Sequence, residues 1–422
     1  MTESGIGLGY VPNVGAILTY EQAQELVLAR AQPLASEVVE LADAAGRVTA
    51  AAAAAQVDLP PFASSAMDGF AVRAADVPGR LPIVERVAAG RPAERPLAPG
   101  EAMEISTGGV VPDGSDAVVP VEYVVQLDNE VEIAGAVETG ANVRPRGGDV
   151  HAGDVVVARG VRLGAAQLGA LAAAGVAAVE CTRRPRVCVL ATGTELARPG
   201  EPLRPGQVYE ANALMLAAAL AAAGAQVERL PAVADDEDAH RAALERGLDA
   251  DVLVTSGGVS VGPHDLVRKI ESELGVEEVF WRVAIRPGKP VAFGVRTRAG
   301  STERDGAAVL VFGLPGNPVS SLVGCELFVK PAVRALQGLL DPLPPLEDGV
   351  LATALRRNPV RDDFVRVRTH LTPEGTSLEP VVGQESHMIV RSAAASALVH
   401  VPRGEGELAA GSRVAWLRLG AA

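Results

Sequence analysis

Four short segments carry side chains suited to chemistry on an anion. Ala191-Thr192-Gly193-Thr194-Glu195-Leu196 places a carboxylate, Glu195, and two small positions, Thr192 and Gly193, just after the apolar run RVCVL. Thr255-Ser256-Gly257-Gly258-Val259-Ser260-Val261-Gly262 follows the run DVLV. Its adjacent glycines let backbone N–H groups approach a ligand with no Cβ in the way, and consecutive amides can form an anion nest beside the Ser256 and Ser260 hydroxyls. Asp265 follows, in the expected first turn of the next helix. A carboxylate beside a phosphate site suits Mg²⁺, which takes one or two carboxylates and completes its shell with substrate oxygens. Ile285-Arg286-Pro287-Gly288-Lys289-Pro290 sets two cations, Arg286 and Lys289, among prolines that pre-order the loop. In Gly313-Leu314-Pro315-Gly316-Asn317-Pro318-Val319-Ser320, Asn317 is expected as an N-cap and Pro318 as the first helical residue, so a helix start faces the ligand.

Each segment has a bland explanation alone. Glu195 fits a solvated loop, Asp265 fits a helix first turn stabilised by the macrodipole, and RPGKP fits a tight hairpin. Together they fall at the carboxyl ends of strands in one α/β unit, where open α/β sheets bind ligands. The implied ligand is a small, phosphorylated polyanion, with carboxylates for a divalent metal. A P-loop, HExxH and any Cys/His nucleophile setting are absent, and GIGLGY near the N-terminus lacks the third glycine of a dinucleotide fingerprint.

The elements that must position these segments follow from periodicity. Residues 19–31 read as a helix with a capping box, Thr19 to Gln22. The alanine tract Ala50–Ala55 reads as helix or packing filler. From about 56 to 160, short β-rich runs alternate with Gly/Pro turns, and 164–175 returns to helix. From 181 to about 338, apolar strands alternate with helices, among them EANALMLAAALAAAG with Gly224 as its stop, PHDLVRKIESELG starting at a proline, and a final helix in NPVSSLVGCELFVKPAVRALQG. VEEVFWRVAI reads as one strand. DPLPPL is a linker, and short strands beyond it suit a small barrel.

Composition bounds the rest. The 422 residues are 48% hydrophobic, 21% charged and only 3% aromatic, so cores must rest on Ala, Val and Leu. A net charge of −14 gives no bulk attraction for nucleic acid or anionic membrane, so an anion must be met by local positive charge. Three cysteines, Cys181, Cys188 and Cys325, form no CxxC and read as buried hydrophobes. With no signal peptide or membrane span in the pattern, a reducing cytoplasm is the expected compartment.

The segments SAMDGFAV, TGGVVPDGSDAVV, NVRPRGGD, ATGTEL, SGGVSVGPHD, RPGKP and GLPGNPVS occur in an order that resembles the molybdopterin molybdenumtransferase family, the MoeA type that includes the C-terminal part of gephyrin. The resemblance covers about residues 17–420. It implies a multidomain α/β plus β fold: a discontinuous elongated dimerisation domain at 1–60 and 140–180, an inserted β-rich domain at 61–139, a molybdopterin-binding α/β three-layer domain at 181–338 and a C-terminal β-barrel at 339–422. It implies a homodimer with the site shared between subunits. The implied reaction takes molybdate and adenylylated molybdopterin to molybdenum cofactor and AMP with Mg²⁺, and the molybdopterin adenylyltransferase is an implied partner.

By motif match, Asp68 and Thr107 correspond to active-site positions supplied by the partner subunit. Glu195, Asp235, Asp265 and Lys289 correspond to catalytic positions of the α/β domain, with Glu195 and Asp265 placed at the metal. Thr192, Gly193, Ser256, Gly257, Gly258, Ser260, Arg286, Pro315, Gly316, Asn317 and Pro318 fall in the substrate-binding loops, and Asp149 matches an acidic position of the dimer-forming domain. The chain departs from the family pattern at Ala63-Ser64, where Asp-Asn is common, at Thr194, where an acid is common, and at Gly148. Two other readings stay open: a non-catalytic molybdopterin-binding scaffold, and a paralogue that handles tungstate.

Overall fold

The structure is a computed structural model and describes residues 17–233, 236–258, 266–298, 308–373 and 375–420. The chain divides into two compact units. Val38–Cys181 is one, and Met1–Glu37 with Thr182–Ala422 is the other.

In the Val38–Cys181 unit a six-stranded sheet runs in the order Ala117–Pro120, Gly69–Val72, Ala102–Ile105, Gly79–Val87, Glu130–Ile133, Val124–Leu127. Its pairings are antiparallel except that of Gly79–Val87 with Ala102–Ile105. Phe70, Val72, Leu81, Val119 and Ile133 close one core. A second, smaller core gathers Ala44, Val157, Leu163, Leu171 and Cys181 around the helix Ala165–Ala173. The alanine tract is not helical. Ala53–Ala54 is a short strand paired with Val155–Val157, because that neighbour offers a ladder that the tract's helix propensity does not outweigh.

The larger unit is built on a six-stranded sheet in the order Gln226–Arg229, Arg186–Ala191, Val252–Ser256, Ala308–Leu314, Ala292–Thr297, Glu277–Trp281. The first three junctions are parallel and the last two antiparallel. The apolar run RVCVLA has no polar face because both faces are covered. Val187, Val189 and Ala191 pack under the helices Tyr20–Arg30, Asn212–Ala222 and the helical run Pro318–Leu336. Cys188 and Leu190 point the other way, onto the helices Glu237–Gly247 and Leu266–Glu273. The period-2 alternation of a strand thus assigns its residues to two helical layers. The scarce aromatics are concentrated here: Phe293 meets Phe312 at 4.9 Å and Phe280 at 5.6 Å, and Phe280 meets Phe328 at 6.5 Å between ring centroids.

Several local expectations hold and some do not. Thr19 caps Tyr20–Arg30 through the expected box with Gln22. Gly224 follows Asn212–Ala222 with φ +99°, as a helix stop requires. The proposed start of a helix at Pro263 lies outside the described residues. VEEVFWRVAI is two strands, Glu277–Trp281 and Ile285–Arg286, broken at Arg282, whose φ is +91°. The final helix contains a π-turn, Cys325–Val329, between two α segments.

After the linker, Asp362–Thr372, Gly375–Pro380, Glu347–Leu351, Arg413–Arg418 and Ala397–Val401 form a closed five-stranded barrel, the last strand pairing back to the first. Ile285–Arg286 adds in parallel to the start of Asp362–Thr372, placing Arg286 opposite Asp363. The barrel also holds one short helix, Ile389–Ser392, in a stretch with no strand pattern. No helix among the described residues is long and apolar enough to cross a membrane.

Candidate functional site

Three parallel strands end side by side at Ala191, Ser256 and Leu314, and the loops that leave them are laced together through the backbone. Thr192 N donates to Ser256 O at 3.0 Å, and Gly257 N donates to Leu314 O at 3.1 Å. The glycines are sterically required. Gly257 has φ +98°, and a Cβ there would lie 2.6 Å from Thr192 O. At Gly258, with φ +67°, a Cβ would strike the Val267 side chain. A Cβ on Gly193 would sit 2.5 Å from the Glu195 carboxylate, which therefore rests directly over that glycine.

These loops wall a cleft of about 780 Å³, lined by Thr192, Gly193, Glu195, Ser256, Gly257 and Gly258 and closed by Pro315, Gly316, Asn317 and Pro318. Tyr209, Glu210 and Asn212 complete it from the start of the helix Asn212–Ala222. Sequence reasoning passed over Asn212. Its Nδ2 donates to Ser256 Oγ at 2.9 Å and Gly316 O at 2.7 Å. The partners are 44 and 104 residues away, so no local pattern announces it.

Asn317 stands at the N-cap position but does not cap. Its Nδ2 donates 3.0 Å to Ser386 Oγ in the barrel, and Val319 N donates 3.0 Å to Ser386 O. A barrel carbonyl thus already takes one of the helix-start N–H groups expected for the ligand. Pro318 is the first helical residue, as expected. Buried Arg366 holds the barrel loop that carries Ser386. It donates to Gly383 O at 2.9 Å, Met388 O at 3.0 Å and Glu385 O at 3.3 Å.

A second cleft of about 670 Å³ shares Pro290, Pro315, Asn317 and His387 with the first. Arg286, Lys289 and Arg361 bring positive charge to its wall. The two cations of RPGKP are not equivalent. The Arg286 guanidinium is ion-paired with Asp363, whose side chain is only 2% exposed. Burial pushes the Asp363 carboxyl above the usual carboxylate range against the opposing pull of Arg286. Among the described residues no ion pair holds the Lys289 ammonium, and Asp363 and Glu385 line the same cleft.

In the Val38–Cys181 unit, Asp68 and Thr107 are brought together. Thr107 N donates to Asp68 Oδ1 at 2.7 Å, and Thr107 Oγ1 donates to the same oxygen at 3.1 Å. The backbone N–H, then the hydroxyl, hold the Asp68 carboxyl below its usual range. Gly69, next in sequence, lies against Val119 O too closely to admit any Cβ. Asp235, Ser260 and Asp265 lie outside the described residues. Among the described residues no cluster of three metal-ligating side chains forms, and Glu195 is the expected metal carboxylate that lines the cleft.

Comparison with known proteins places this geometry. Residues 18–175 match the MoeA N-terminal region (domain I and II), residues 188–335 a probable molybdopterin binding domain, and residues 348–419 the MoeA C-terminal region (domain IV). The chain is 38% identical over 392 residues to molybdopterin molybdenumtransferase 2 of Mycobacterium tuberculosis, covering 89% of this chain and 93% of that protein. It is 33% identical over 405 residues to the molybdopterin molybdenumtransferase of Haemophilus influenzae, covering 94% and 98%. A crystal structure of a molybdopterin biosynthesis MoeA protein from Pyrococcus horikoshii superposes with a TM-score of 0.79 at 31% identity, covering 96% of this chain and 99% of that one.

Proposed function

This chain belongs to the molybdopterin molybdenumtransferase family, transferases of molybdenum cofactor biosynthesis, and we propose that it inserts molybdenum from molybdate into adenylylated molybdopterin and releases AMP. The observation that carries this reading is the pair of joined clefts. A glycine-walled cleft at the carboxyl ends of parallel strands opens onto a cationic one across Pro290, Pro315 and Asn317.

The Gly257–Gly258 turn and the Thr192–Gly193 turn admit phosphate oxygens against backbone, with no Cβ between. Lys289 supplies a positive charge for a tetrahedral oxyanion, and Arg286 lies in the same loop, braced by Asp363. The donor chemistry at Glu195 fits Mg²⁺: one exposed carboxylate beside a glycine cradle, with remaining positions left to substrate oxygens. Asp265 is the second proposed ligand and Asp235 a further acid of the site. Bound there, Mg²⁺ supplies charge neutralisation at the pyrophosphate. The protein's own share of the rate is positioning and fixed electrostatics, since pyrophosphate cleavage asks for little covalent chemistry from side chains.

The homodimer, with Asp68 and Thr107 serving a second copy of the chain, belongs to the same proposal. So do a cytoplasmic site of action and hand-over from a molybdopterin adenylyltransferase. The test is anaerobic incubation of the protein with adenylylated molybdopterin, Mg²⁺ and either molybdate or tungstate. AMP release dependent on oxyanion is the expected result. Absence of AMP with both anions overturns the proposal and leaves a molybdopterin-binding scaffold.

A further inference from the structure

We propose that Asn212 is the positioning residue of the glycine-walled cleft: its side-chain amide locks the Ser256–Gly258 loop and the Pro315–Pro318 loop into one register. Nothing in the helix it opens requires this side chain. Glu210 Oε1 already accepts from Ala213 N at 2.7 Å, so the helix start has its own acceptor. Asn212 instead spends both hydrogens of Nδ2 outward, on Gly316 O at 2.7 Å and Ser256 Oγ at 2.9 Å.

The orientation of the amide is fixed by chemistry. Gly316 O can only accept, so the nitrogen must face it and Oδ1 must face away. With Asn212 donating to Ser256 Oγ, the Ser256 proton is free to turn to Ser321 Oγ at 3.2 Å, and the Ser321 proton to Pro315 O. Ser256 and Ser321 are 2% and 0% exposed, so the relay runs through protein interior. It joins the ends of two neighbouring strands and the first turn of the helix after them. Asn212 Oδ1 meanwhile is buried with no hydrogen-bond partner among the described residues. An unsatisfied buried acceptor is a cost that an apolar side chain of the same volume would not carry. Packing alone therefore does not account for asparagine here, whereas two donations from one nitrogen do.

The role in turnover rests on the proposed reaction, but the geometry does not, and the experiment separates them. Full-length N212L fills the same space and removes the orphan oxygen together with both donations. S256A deletes only the relay hydroxyl and serves if N212L does not fold. Hydrogen–deuterium exchange is read at the Thr192 and Gly257 amides, whose bonds to Ser256 O and Leu314 O report on the lacing. The expected result is faster exchange confined to these loops, with the thermal midpoint little changed. AMP release should then lose about ten- to a hundredfold in kcat/KM, the worth of two lost hydrogen bonds. Wild-type exchange at both amides, or loosening spread through the whole sheet, overturns the positioning role. If the wild-type protein releases no AMP, the reaction is wrong, and exchange alone still decides the role of Asn212.

Discussion

Substituting Gly257 by alanine separates backbone strain from loop geometry. Gly257 has φ +98°, and its Cβ would lie 2.6 Å from Thr192 O and 2.9 Å from Thr192 Oγ1. The hydroxyl can rotate away, but the carbonyl oxygen cannot, because it belongs to the strand-end turn carrying Gly193 and Glu195. Ordinary contact begins at 3.4 Å, so the two loops must part by about 0.8 Å. Displacements near 1 Å cost on the order of a hundredfold in rate where catalysis depends on placement. Gly200 is the control. Its φ is +93°, nearly the same, and its Cβ would meet nothing within 4 Å. Both alanines carry roughly the same left-handed strain of about 1–2 kcal/mol, and the difference between them isolates the clash. AMP release measured under saturating substrate, beside thermal melts of both variants, is the assay. G200A should turn over within about twofold of wild type and G257A about a hundredfold slower. If the two variants turn over alike, the Thr192–Gly257 contact does not set the cleft and the reasoning fails.

Other perturbations test other parts of the molecule. Asp251 accepts a fork from Arg183 at 2.6 and 2.8 Å and a bond from Arg186 N at 2.8 Å, at the end of the sheet away from the cleft. Burial alone would raise its carboxyl, but these bonds outweigh it and hold the carboxyl below the usual range, so its stabilisation is present above the ordinary carboxylate range and fades as pH falls through the lowered value. D251N should cost about 3 kcal/mol at neutral pH in denaturant titrations, with a gap to wild type that narrows in acid and activity per folded molecule unchanged. T107V keeps the backbone bond to Asp68 and removes the hydroxyl one, so NMR titration should show the Asp68 carboxyl moving part of the way back up, and no movement would sink the assignment. R286A strands the buried Asp363 carboxylate beside the second cleft, so R286A/D363N should bind molybdate more tightly than R286A alone, and equal affinities would show that the Asp363 charge is not felt there.

How much was legible in the sequence depended on how far apart the cooperating residues stand. The capping box from Thr19 to Gln22, the helix stop at Gly224 and Pro318 at a helix start are all local, with donor, acceptor and backbone conformation inside one turn. The two-sided burial of RVCVLA was readable from its unbroken apolar run. The sequence did not reveal that Asn317 would spend its amide on Ser386, 69 residues on, instead of capping its own helix. Nor did it reveal the partner of Arg286, 77 residues away, or the two acceptors of Asn212. The alanine tract misled for the opposite reason. Its local propensity was clear, but the strand Val155–Val157, far along the chain, decided the outcome. Of the candidate site, the segments that wall the clefts could be named in advance, and the side chains that hold those segments still could not.

An acidic chain of net charge −14 can receive a polyanion only if its positive charge is confined and used economically. The RPGKP loop treats its two cations unequally. Arg286 is tied to a buried carboxylate on the barrel strand Asp362–Thr372, so the pair adds little net charge, and its strand pairing docks the loop onto the barrel. Lys289, three residues on and half-buried, has no ion pair among the described residues. The barrel therefore acts through the loop: by opposing Arg286 with Asp363 it fixes where the RPGKP backbone lies, and so where the Lys289 charge is presented. The same barrel offers Ser386 to Asn317 and to the start of the helix after the third loop, so both loops bordering the shared wall of the clefts are braced from one side. A change inside the barrel that shifts Asp363 or Ser386 should thus be felt at the second cleft before the sheet beneath it loosens.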